Sequence, residues 1–106
     1  MISKRGRLSG ADVFQPMGWL QGHTIEYSVA EQIVALRSAA PTRKHPRIGQ
    51  FGQIYVPTAV QQAVGISPRD HLLLMAYPAH DVVIILSPTV VYTALSPMLA
   101  FFTVSA

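Results

Sequence analysis

A mainly β domain with short helices is the fold class this sequence predicts, ordered as two tandem copies of one strand–helix–hairpin unit followed by a C-terminal helix. Three observations carry that expectation. Element types recur in the same order at an offset of 46 to 49 residues, with Ile2/Ile48, Gly6/Gly52, Val13/Val60, Gln15/Gln62, Gly18/Gly65 and Val34/Val83 as identical pairs. Short β-branched and aromatic runs lie between Gly- and Pro-containing turns, as strands of a small sheet protein do. Finally, 106 residues with 50% apolar and 12% charged content suffice for one packed domain and exclude a disordered chain.

The first copy spans residues 1–38. A strand at Leu8 follows the basic run Lys4-Arg5-Gly6-Arg7. Val13 and Met17, four apart, share one helical face, and Gly18 ends that helix. Pro16 removes a helical N–H and predicts a short or distorted helix. Residues 24–29 alternate polar and apolar as a half-buried strand, and residues 33–37 return after a turn at Ala30, Glu31 and Gln32. Residues 39–46, with Pro41 and Pro46, form an irregular linker.

The second copy spans residues 47–88. Residues 53–56 read as a strand, and Pro57 suits the first helical position. Val60 and Val64 share a face, Gly65 ends the helix, and residues 67–70 turn the chain. Residues 71–77 and 81–87 form a hairpin joined by Pro78, Ala79 and His80. Residues 1–88 thus make one domain, and residues 89–106 a tail.

The tail is apolar. Residues 82–106 contain no Asp, Glu, Lys or Arg, a run longer than the ~20 residues that span a bilayer. Pro88 and Pro97 interrupt it and its start is β-branched, so it reads as a strand plus a helix over residues 89–100, without a membrane role. The N-terminus has no apolar stretch of the kind a signal peptide carries. Outward positions Glu26 and Ser28 of the first copy correspond to Leu73 and Met75 of the second. That asymmetry predicts a cover for Leu73 and Met75: the tail helix, through Val90, Val91, Ala94, Leu95 and Met98, or a second chain, with Phe101 and Phe102 free for a homodimer contact.

Over residues 47–87 the pattern Ile48-Gly-x-x-Gly52-Gln-Ile-x-Val-Pro57, then Val64-Gly65-Ile66, then Asp70 and a hairpin resembles the AbrB/MazE/SpoVT swapped-hairpin family of bacterial DNA-binding regulators. The first copy resembles it through Ser3-Lys-Arg-Gly-Arg-Leu8, Gly18-Trp19 and Gly22, without a counterpart of Pro57. The family's Gly-Asp turn is divided: Gly22-His23 keeps the glycine, Arg69-Asp70 the aspartate. The resemblance implies two tandem swapped-hairpin half-barrels forming one intramolecular pseudo-dimeric barrel, a cytoplasmic location, double-stranded DNA as partner, and no cofactor. One such copy alone is too short to bury a stable core; two on one chain meet at high effective concentration.

The candidate DNA-binding residues follow. Six of eight basic residues form two clusters at equivalent places: Lys4, Arg5 and Arg7, then Arg43, Lys44 and Arg47. Lys and Arg contact phosphates, while Arg5, Arg7, Gln50 and Gln53 also have donors for base edges. Gln53 occupies the place of Arg7. His71 and His80 can approach each other across the hairpin, but with no metal motif the histidines read as surface residues, and Trp19 reads as a core anchor. With no cysteine, phosphate loop, nucleophile elbow or paired carboxylates, no catalytic residue and no metal ligand is assigned. The reading is a sequence-specific transcriptional regulator. Its alternatives are an antitoxin that binds a toxin and its own operator, and a protein-assembly module without a DNA role.

Overall fold

The computed structural model describes residues 1–103, with side chains described through Pro97. The elements in chain order are β1 (Arg7–Ser9), α1 (Ala11–Phe14), a 3-10 turn (Gln15–Met17), β2 (Ile25–Ala30), β3 (Ile33–Ser38), a 3-10 turn (Gln50–Gly52), β4 (Gln53–Tyr55), α2 (Thr58–Ala63), β5 (Leu73–Tyr77), a 3-10 turn (Pro78–His80), β6 (Val82–Leu86) and α3 (Pro88–Thr103). The first helix is interrupted as Pro16 requires: its second turn is 3-10, closed by left-handed Gly18 at φ 73°. Pro57 stands one place earlier than expected, as the N-cap of α2.

Two antiparallel sheets form. One is the ribbon β1–β4; the other has order β2-β3-β6-β5. Neither closes on itself; of the expected pseudo-dimeric barrel, the structure shows two antiparallel sheets around a shared core. The core joins both copies: Ile2, Leu8, Phe14, Trp19, Val34 and Leu36 pack with Ile48, Ile54, Val56, Val64, Val83 and Ile85.

The registers carry the repeat. In the ribbon Leu8 faces Ile54, flanked by Arg7↔Tyr55 and Ser9↔Gln53. In the larger sheet Ala35 faces Ile84, flanked by Val34↔Ile85 and Leu36↔Val83. Each central pair joins equivalent residues of the two copies, and exchanging the copies maps each flanking pair onto the other. Both sheets are therefore symmetric about one exchange of halves. The loops obey it too. Ile2 N–H donates to the Asp70 carbonyl (2.9 Å) and Arg69 N–H to the Ile2 carbonyl (2.7 Å); Ile48 N–H donates to His23 (2.9 Å) and Gly22 N–H to Ile48 (2.7 Å). Each copy's first residues are thus held by the other copy's turn.

The hairpins differ at their tips. Glu31 and Gln32 both have positive φ (50° and 68°) in a two-residue turn, although neither is the Gly or Asn such turns favour. The second hairpin turns through Pro78–His80 and left-handed Asp81. His71 and His80 consequently lie beyond opposite ends of β5, whose five residues span ~17 Å, and do not meet.

The tail helix is longer than expected but does not cover its target. Leu73 stays 46% exposed and Met75 38%. Among the described side chains, His71, Leu72 and Leu73 face Pro88, Val91, Tyr92 and Leu95 of α3 across a groove of about 430 Å³. The expected contacts of Met98, Phe101 and Phe102 fall outside the described side chains. Among the described residues no helix is long and apolar enough to cross a membrane.

Candidate nucleic-acid interface

Strand alternation builds the site. In β1 and β4 the middle residues, Leu8 and Ile54, point into the core, so Arg7, Ser9, Gln53 and Tyr55 stand together on the exposed face. The loops before the two strands are equivalent. Ser3 N–H donates to the Arg7 carbonyl (2.9 Å) as Gly49 N–H donates to the Gln53 carbonyl (2.8 Å). The Ser3 hydroxyl also accepts the Arg5 and Arg7 amides, at 3.3 and 3.1 Å, which tightens the basic loop.

Arg7, Arg47, Gln50 and Gln53 line one open groove of about 330 Å³ with Gly49, Ile54 and Tyr55, and no carboxylate lines it. A neighbouring groove of about 570 Å³ holds Arg43, Lys44 and His45 with Glu26, Tyr27, Pro46, Pro57 and Val60; Tyr55 borders both. The structure thus brings together Arg7 and Arg47, one from each cluster, with both glutamines, and places Arg43 and Lys44 next to them. Lys4 and Arg5 line neither groove and stand exposed on the preceding loop. Tyr27 underlies Tyr55: its hydroxyl donates to the Tyr55 carbonyl at 2.6 Å, and burial raises its pKa above the ordinary value of 10.0.

The remaining polar clusters are structural. Trp19 is buried, stacked between Phe14 and His23, with ring centroids 5.9 and 5.5 Å away. Its indole N–H donates to Asp81 Oδ1 (3.2 Å), the same carboxylate accepts Ser38 Oγ–H (2.9 Å), and Ser38 Oγ lies 2.8 Å from His23 Nε2. This network ties copy one to the end of the second hairpin. Its only sequence signal was the polar Asp81 at a strand boundary. Among the described residues no group of three metal-capable side chains assembles.

Compared with known proteins, the chain matches no family model, no curated protein and no solved structure. The functional reading therefore rests on the site itself. That site is a shallow, uncapped, cationic surface centred on a two-stranded ribbon. Such a surface suits an extended polyanion better than a small molecule, which is held in a concave, largely enclosed pocket.

One residue beside these grooves, though lining neither, carried no assignment from the sequence. Phe51 is 81% exposed, with left-handed backbone at φ 59°, in the loop beside Gln50. Its position between Gly49 and Gly52 was the available signal.

Proposed function

We propose that this chain is a bacterial, cytoplasmic, sequence-specific DNA-binding regulator of the AbrB-like type, in which two swapped-hairpin halves of one chain form the unit that other members build from two chains. The observation that carries the reading is the exposed face of the β1–β4 ribbon. It lies on the exchange axis of the two copies and puts Arg7 and Gln53 beside Arg47 and Gln50. A two-stranded ribbon fits the major groove, where Arg and Gln donors reach base edges, while the six clustered cations, Lys4, Arg5, Arg7, Arg43, Lys44 and Arg47, neutralise the phosphates that flank it. The function requires neither a cofactor nor a catalytic step.

Binding to duplex DNA as a function of salt tests it. Six phosphate contacts give a log–log slope of roughly −5, at about −0.9 per contact. Replacing both Arg7 and Arg47 by alanine weakens binding and flattens the slope by about 2 units. Salt-independent binding, or binding unchanged by loss of both arginines, overturns the proposal. In that case assembly through the sheets, with no DNA role, becomes the better account.

A further inference from the structure

We infer that the DNA site of this face is not a palindrome: one half is read through Arg5 and Arg7 at guanine, the other through Gln50 and Gln53 at adenine, with Phe51 against a thymine methyl group. The inference rests on the DNA-binding reading above and goes beyond it by assigning different base chemistry to the two halves.

The two halves share one backbone frame. The ribbon register makes Arg7 and Gln53 equivalent, as well as Ser9 and Tyr55. The preceding loops, closed by the same bond and ending in Gly6 (φ 80°) and Gly52 (φ 70°), make Lys4 equivalent to Gln50 and Arg5 to Phe51. A frame this symmetric presents both sets of side chains at matching positions. Had the side chains matched as well, the site would be palindromic, as protein two-fold symmetry demands of its operator.

They do not match. The first loop presents three cations, Lys4, Arg5 and Arg7; the second presents Gln50, Phe51 and Gln53, with no charge. The second half recovers its cations from the linker, where Arg43 and Lys44 line the groove that shares Tyr55, and Arg47 lines the groove of Arg7. Each half thus has three cations, but two of the first half's three, Arg5 and Arg7, are also its base-facing groups, whereas the base-facing groups of the second half, Gln50 and Gln53, are uncharged. Arg pairs bidentately with guanine O6 and N7, Gln with adenine N6 and N7, and an apolar side chain packs on the thymine methyl. Phe51 supports the assignment because its ring is out in solvent, where it contributes nothing to the core.

Selection of bound duplexes from random DNA, with the full chain, Gln53→Arg and Arg7→Gln, tests the inference. The unmodified chain should enrich a site with unlike halves, one carrying guanine where the other carries A·T. It should bind that site at least about 10-fold more tightly than a palindrome of either half. Gln53→Arg should move the second half toward guanine and raise affinity for the guanine palindrome, and Arg7→Gln should move the first half toward A·T. A palindromic site selected by the unmodified chain, or selected sites that neither substitution changes, overturns the inference and leaves DNA binding standing. No enriched duplex at all overturns the DNA-binding reading, and the inference with it.

Discussion

Two glycines at the ends of local elements separate two kinds of constraint. Gly65 closes α2 with φ 70°, and a Cβ there meets nothing within 4 Å. Gly52 has the same φ, but a Cβ would lie 2.6 Å from the Ala11 Cα, backbone of the other copy. Gly65→Ala should therefore cost only the left-handed penalty of about 1–2 kcal/mol. Gly52→Ala should cost more, about 3 kcal/mol or above, because the ribbon must also separate from α1. Chemical denaturation of both variants checks the order, and equal costs would remove the close approach as a constraint. Tyr27 supplies a pH test. Its hydroxyl ionises at higher pH folded than unfolded, so its contribution to stability is complete below pH 10.0 and is lost as pH rises above it. Tyr27→Phe should flatten the alkaline fall in thermal stability while costing about 1 kcal/mol near neutrality for the bond to Tyr55. An alkaline limb identical in both proteins would assign the fall to other groups.

At the scale of elements, each sheet needs both copies. Among the described residues β1 pairs only with β4, and β3 and β6 meet at the centre of the larger sheet, so neither copy alone can form the ribbon or the central ladder. A chain cleaved at Thr42, within the linker, should give fragments without cooperative unfolding or a folded far-ultraviolet spectrum, and equimolar mixing should restore both. Two fragments that each unfold cooperatively would show that the exchanged pairings are dispensable. Most elements were legible because they obey local rules: Pro16 broke the first helix, Gly18 and Gly65 ended theirs, and alternation marked β2. Sheet closure was not legible, since it depends on whether edge strands β2 and β5 find partners. No periodicity records that. Nor did local pattern show that Asp81 would accept the Trp19 indole across 62 positions, or that the two histidines of the second copy would part. Candidate site residues were found from cation clustering and repeat equivalence. The grouping of Arg7 with Arg47, and the exposure of Phe51, emerge only when the ribbon brings the two loops together.

The molecule as a whole is elongated. Its Cα radius of gyration is 15.0 Å, with extents of 53 × 29 × 24 Å, against ~13 Å for a compact chain of this length. The sixteen helical residues of α3 measure ~24 Å, nearly half of the longest extent. Among the described residues none of α3 belongs to the buried core. Its anchorage is local: Val90 N–H donates to the Ser87 hydroxyl at 3.3 Å and Val91 N–H to the Ser87 carbonyl at 3.1 Å. Truncation after Pro88 should therefore keep cooperative unfolding and lower Tm by no more than ~5 °C, about 1 kcal/mol for a domain of this size. Its larger effect should be on association. Leu73, Met75, Tyr77, Tyr92 and Leu95 remain 37–67% exposed beside a segment without a single charge, and Leu73, Tyr92 and Leu95 line the groove between the second hairpin and α3. Two copies related by a two-fold axis can cover this uncharged apolar surface with the same surface of each other. Sedimentation should then give a dimer for the full chain and a monomer for the truncated one. Equal masses would exclude the tail from self-association, and a Tm loss far beyond ~5 °C would show that α3 stabilises the sheets directly.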